Sequence, residues 1–167
     1  MLSGSLSGFC TAFLQTTLGI ESILSGIIVN TGLYTINLAV MGFSSNLSIF
    51  GTDTVFTLFS GVYPVLSEWG TVLLLLLIVL FVAFLLRWFF GTGLGLSIRA
   101  TGDSPAMVRA SSINPAFTIT VGLCLSNALT ALSGSLIAQY NKASDINLGN
   151  GMVTVALASL VIGESLF

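Results

Sequence analysis

Histidine is missing altogether, and charge is scarce: the chain holds four Lys or Arg and six Asp or Glu in 167 residues. A soluble domain carries about a quarter charged residues, so there is too little polar surface here for a water-soluble fold of this size. Soluble enzyme classes are disfavoured on that ground. With no histidine and no Cys-x-x-Cys pair, the usual metal donor sets cannot be completed, and no cofactor site is expected. A net charge of -2 offers no basic surface to nucleic acid. The two cysteines, Cys10 and Cys124, lie inside apolar stretches and read as small buried hydrophobes. Hydrocarbon is what the chain has in abundance, with 54% hydrophobic residues and a mean hydropathy of +1.05. The bilayer is therefore the solvent for much of it.

A bilayer core about 30 Å thick needs about 20 helical residues. Four windows of that length lack interior charge: residues 2–20, 23–41, 70–86 and 116–139. A fifth apolar segment, 152–163, is too short to span and reads as a re-entrant or truncated helix. The fold expected is an all-α, polytopic transmembrane bundle of about four spans plus that short helix. Residues 1–167 read as one transmembrane domain, itself a portion of a longer protein.

Orientation follows from Lys and Arg near span ends. Arg87, Arg99 and Arg109 cluster between spans three and four, which places that connection on the cytoplasmic side. The connection of residues 42–69 has no Lys or Arg and belongs on the opposite side. Parity then runs span one inward, span two outward, span three inward and span four outward. Lys142 is the one basic residue that disagrees, with Asp145 nearby to offset it. Tyr63, Trp69 and Trp88 flank span three as interfacial aromatics do.

Span three is Leu-rich and suits a lipid-facing role. Spans one, two and four read as packed against other helices, because Gly4 and Gly8 in span one, and Thr130, Gly134 and Ala138 in span four, place small residues four apart on one face. In span two, Asn30, Tyr34 and Asn37 project from one face at helical spacing. Amides in hydrocarbon are costly unless paired. Two readings fit: hydrogen bonding between helices, or a polar pathway for a solute with Asn127 of span four as its counterpart. No Asp, Glu or His relay lies inside a span, which weakens a proton-driven carrier.

The connection of residues 91–116 is too long for a turn. Ser104-Pro105 has the chemistry of a helix start: a hydroxyl to accept from an orphan N–H, then a proline with no N–H to satisfy. A short helix from Pro105 to about Ser111 is expected, ended before Asn114-Pro115 because the residue before proline avoids the helical region. Asp103 is placed near its positive end, and Arg99 and Arg109 flank it.

The stretch Gly93-Leu94-Gly95-Leu96-Ser97-Ile98-Arg99-Ala100-Thr101-Gly102-Asp103-Ser104-Pro105-Ala106-Met107-Val108-Arg109-Ala110 resembles the coupling loop of ABC importer permeases of the branched-chain amino acid and monosaccharide class. Thr31-Gly32-Leu33-Tyr34-Thr35-Ile36-Asn37-Leu38, Leu125-Ser126-Asn127-Ala128-Leu129 and Ser159-Leu160-Val161-Ile162-Gly163-Glu164 are similar to stretches of its tryptophan/tyrosine-type subgroup. Ser104 stands where that family often has Asn, and Ser111-Ser112 replaces a usual residue-Gly pair. The resemblance covers the whole chain, as the middle portion of a longer permease.

That resemblance implies a multi-pass permease of the bacterial inner membrane, moving a small solute, an amino acid by subgroup. Its implied partners are an ABC ATPase subunit, a second permease copy, an extracytoplasmic substrate-binding protein and membrane lipid. ATP would be bound by the ATPase alone, since the chain has no Gly-x-x-x-x-Gly-Lys-Ser/Thr phosphate loop and is not itself an enzyme. The implied ATPase contact is Pro105, Ala106, Met107 and Val108, with Asp103 and Ser104 as cap and Arg99 and Arg109 as charged partners. Asn30, Tyr34, Asn37 and Asn127 remain candidates for the pathway. The alternative is a secondary carrier or channel acting without an ATPase, for which the polar face of span two speaks.

Overall fold

Most of the described chain is helical in a computed structural model, which describes residues 1–49, 51, 54–55, 67–147 and 149–166. Tyr63 and Asp53, and the side chain of Trp69, lie outside the described residues. In chain order the elements are α1 (Leu2–Thr17), α2 (Ser22–Val40), β1 (Asn46–Ser48), α3 (Ser67–Phe90), α4 (Gly93–Asp103), α5 (Pro105–Ala110), α6 (Pro115–Asn141), β2 (Ala143–Asp145) and α7 (Asn150–Leu166).

Among the described residues, three helices are long and apolar enough to cross a membrane: α2, the 72–90 stretch of α3, and α6. The first expected span falls short of that set. α1 ends at Thr17, before Gly19 at φ +66, and its 16 residues reach only ~24 Å at 1.5 Å per residue. α7, with 17 residues, is longer than the expected 152–163 segment.

Close packing centres on α1 and α6, which run antiparallel. A Cβ built on Gly4 would lie 2.5 Å from the Asn127 carbonyl oxygen and 2.6 Å from the Ala131 Cβ. One built on Gly8 would lie 2.5 Å from the Leu123 oxygen and 2.7 Å from the Cys124 Cα. Only hydrogen fits in either place, so the paired glycines are what let the two backbones meet. Thr11 and the fully buried Ala12 (0% exposed) continue the same face of α1. Cys10 departs from expectation: it is exposed, one position off that face, and Cys124 is only half-buried.

The small stripe of span four behaves differently from the glycines of α1. Thr130 and Gly134 are exposed, and nothing comes within 4 Å of a Cβ at Gly134. Thr130, Gly134 and Ala138 instead line an open groove of about 360 Å³, together with Ser144 and Asp145. Among the described residues no helix packs there: Leu123, Asn127 and Ala131, where α1 packs, share this face of α6, and the groove lies further along it. Among the same residues α3 contacts only α4, and Leu76, Leu77, Leu80, Phe81 and Phe84 stand exposed along it, as a lipid-facing helix requires.

A two-stranded antiparallel ladder ties the connection after α2 to the connection after α6. Asn46 pairs with Asp145, Leu47 with Ser144 and Ser48 with Ala143. Ile49 N–H donates to the Lys142 carbonyl at 2.9 Å and Ile146 N–H to the Ser45 carbonyl at 3.1 Å, which extends the tie by one bond each way. Both connections therefore lie at one end of the bundle, the parity that the arginine positions require. Lys142 sits at that end as the left-handed cap of α6, with φ 50°.

At the opposite end, the 91–116 connection is more ordered than a loop around one short helix. Residues 93–103 form α4, with the Thr92 hydroxyl accepting from Gly95 N–H at 3.4 Å as its cap. Glycines at 91, 93 and 95 speak against a helix by propensity. Gly95 nevertheless has a packing role: a Cβ there would collide with the Phe89 oxygen and the Phe90 Cα of α3. The turn between α3 and α4 is therefore tight enough to need a residue without a side chain.

Candidate functional site

The short helix α5 forms where the Ser-Pro pair predicts it. Ser104 is extended, with φ −157° and ψ 101°, and its Oγ accepts from Met107 N–H at 3.4 Å. Pro105 occupies the first turn, where its missing N–H costs nothing. Ser104 also closes α4, donating its N–H to the Ala100 carbonyl at 3.0 Å. One residue thus ends one helix and starts the next. Asp103 does not share in that cap: it is the exposed last residue of α4.

The helix closes through a Schellman motif. Ser112 N–H donates to the Arg109 carbonyl at 3.1 Å and Ile113 N–H to the Val108 carbonyl at 3.3 Å, with Ser112 itself at φ 59°. This conformation suits glycine and strains a residue with a Cβ. Serine thus adopts a left-handed geometry that the glycine implied here by the resemblance would take without strain. Asn114 then caps α6, its Oδ1 accepting from Ala116 N–H at 3.0 Å ahead of Pro115.

Burial divides α5 sharply. Val108 is 3% exposed and holds the helix against the rest of the chain, so it is an anchor and not part of the contact face that the sequence suggests. Pro105, Ala106, Met107, Arg109 and Ala110 are all exposed, Met107 at 74%. They form a small apolar surface with a cation in its last turn, where the negative end of a helix favours one. Arg99 is exposed on α4, and Arg87 occupies the last turn of α3. Three cations therefore surround one end of the bundle.

The proposed pathway residues are not gathered into one place. Asn30, Tyr34 and Asn37 share an exposed face of α2, whose packing among the described residues is against α1. Tyr34 reaches the sheet end, where its hydroxyl donates to Asn147 Oδ1 at 3.5 Å. Asn127 is half-buried beneath Gly4, and its Nδ2 donates to the Leu123 carbonyl of its own helix at 3.0 Å. This internal bond satisfies one amide donor without a partner across the bundle.

One feature escapes sequence reasoning altogether. Thr101 of α4 and Thr118 of α6 are 5% and 2% exposed, with their hydroxyl oxygens 2.8 Å apart. Ile98 lies one turn earlier on α4, its Cγ2 3.5 Å from where a Cβ of Gly122 would be. The signal was present as Ile98/Thr101 facing Thr118/Gly122, but it is legible only once residues 93–103 are known to be helical.

Comparison with known proteins agrees with this architecture. Residues 1–165 match the family described as branched-chain amino acid transport system / permease component. Over its whole length the chain is 37% identical to a tyrosine transport system permease protein of Clostridioides difficile, of which it covers 53%. It is 31% identical to an uncharacterized protein of Rickettsia prowazekii, again over the whole chain and 57% of that protein. The chain thus spans about half the length of the curated relatives it matches. No solved structure matches it. With apolar helices of membrane-crossing length and a family match over nearly every residue, the chain belongs to the branched-chain amino acid transport system permease family.

Proposed function

We propose that the chain is the central part of the permease subunit of an ATP-driven importer in a bacterial inner membrane, and that α5 is the handle by which a separate ATPase moves it. The observation that carries this reading is the construction of α5. A six-residue helix is capped at both ends, pinned by one buried valine, and left with an exposed apolar face beside a cation. Isolated helices this short do not persist in water, so the caps and the anchor keep a surface in shape for something to grip. An amino acid as solute is supported by the tyrosine transport named for the Clostridioides difficile relative. A substrate-binding protein and a second permease copy complete the proposed assembly, with the α2 face of Asn30, Tyr34 and Asn37, and Asn127 of α6, as candidate pathway groups.

In this reading the permease is passive. Nucleotide-driven movement of the ATPase displaces α5, and the displacement tilts the spans on either side of it. Replacing Met107 with Asp in the full-length protein places a charge on the exposed apolar face without touching Val108. The expected result is loss of ATPase co-purification and of uptake, with the permease still folded. Retention of both removes α5 from the coupling path.

A further inference from the structure

We infer that Thr101 and Thr118 form a clasp that makes α4, α5 and the first turns of α6 move as one body, so that displacement of α5 reaches the α6 span. This rests on the coupling role proposed for α5. It adds two positioning residues that lie off the contact face.

Both connections of α5 to its neighbours are breaks in the helical chain. Residues 111–114 link it to α6 through a turn with Ser112 at φ 59°, and such a linker by itself lets a six-residue helix swing without moving α6. On its other side α5 joins α4 through Ser104 alone, which is non-helical. Two hinges therefore flank α5. Val108 holds it in place, but the segment transmits a push only if the chain on the far side of each hinge is also tied together.

The Thr101–Thr118 contact supplies that tie. It joins α4 to α6 across 17 residues of chain and closes α4, α5 and α6 into a triangle. Beside it, Ile98 rests over Gly122, so the α4–α6 seam has an apolar contact and a polar one, a turn apart on each helix. α4 is in turn fixed to α3 by the close approach at Gly95.

The hydrogen count shows how the pair is bound. Thr101 Oγ1 lies 2.7 Å from the Ser97 carbonyl and Thr118 Oγ1 3.0 Å from the Pro115 carbonyl, in addition to the 2.8 Å contact between them. Two hydroxyl protons serve three contacts. At any moment one hydroxyl donates across the seam while the other donates to its own helix, and either can be the donor across. Replacing one threonine by valine keeps the branched shape and removes the bond across together with that residue's contact to its own helix carbonyl, while the remaining hydroxyl still has its helix carbonyl to bond. The fold is thus expected to survive, while the seam loses its directional contact.

The test uses the full-length permease with its ATPase and binding protein in liposomes. For T118V and T101V we expect ATPase co-purification to be unchanged and solute moved per ATP to fall about three- to tenfold, the range that one hydrogen bond commands. T118S should restore the native ratio, because serine retains the hydroxyl. In a background with Cys10 and Cys124 replaced by Ala, the pair T101C/T118C should couple when oxidised and uncouple when reduced, a comparison made within a single folded protein. The inference is overturned if solute per ATP is unchanged in both valine variants, if T118S is as impaired as T118V, or if reduction of the cysteine pair changes nothing. Should the native permease fail to bind an ATPase at all, the coupling role of α5 falls first, a distinct outcome from loss of the clasp.

Discussion

The two ends of the bundle are tied in different ways. At the sheet end, the connections after α2 and α6 are joined by backbone hydrogen bonds, β1 to β2, with the register Asn46 to Asp145. At the arginine end, the tie among α4, α5 and α6 depends on side chains: two threonine hydroxyls, Ile98 over Gly122, and the buried Val108 of α5. A backbone ladder tolerates most substitutions and has little freedom to rearrange. A seam of a few side chains can shift with the helices that carry it. The difference suits the proposed permease, in which force enters at one end and two connections at the other end are held together by a fixed cross-tie.

Breaking what both ends share should have the largest effect. Gly8→Val places side-chain carbons where the Leu123 oxygen and Cys124 Cα already stand, and overpacking of this kind costs about 1–3 kcal/mol. A lower melting temperature in detergent, with α1 more open to protease, is the expected outcome. An unchanged melting temperature would mean that α1 does not seat on α6. Val108→Ala comes next and acts at one end only, removing the anchor of α5 for about 2 kcal/mol. Hydrogen exchange should rise across residues 104–113 and stay unchanged at 142–147; a rise at both ends would erase the contrast between them.

Ser112→Gly should act in the opposite direction. It relieves the left-handed strain at φ 59°, a gain of up to about 1 kcal/mol, visible as slower exchange of the Ile113 amide. The smallest effect sharpens the contrast most. Leu47→Cys with Ser144→Cys, a directly opposed pair in the ladder, should crosslink on oxidation and leave uptake unaltered. Loss of uptake on crosslinking would show that the sheet end moves after all.

The spans were legible in the sequence because hydrocarbon runs of the right length have few other uses, and Gly4 and Gly8 because only hydrogen permits such a close approach. The cap at Ser104-Pro105 was legible for a similar reason: the pair solves a local bonding problem that needs no tertiary partner. α4 was hidden, since its glycines lower helix propensity locally while meeting a packing demand from Phe89 and Phe90 that appears only in three dimensions. The stripe of Thr130, Gly134 and Ala138 was legible in part. It continues the face of α6 on which α1 packs at Leu123, Asn127 and Ala131, but small residues only permit a close approach, and among the described residues no helix meets that face further along. Thr101 and Thr118 gave no local sign, since their pairing depends on α4 existing and on how it crosses α6.

In the proposed assembly α5 faces the cytosol, where a motor protein can reach it. In a Cys10/Cys124-free background, a Met107→Cys variant should react with a membrane-impermeant maleimide in inside-out vesicles and not in right-side-out ones. Labelling from the outer face would reverse the orientation and end the coupling account.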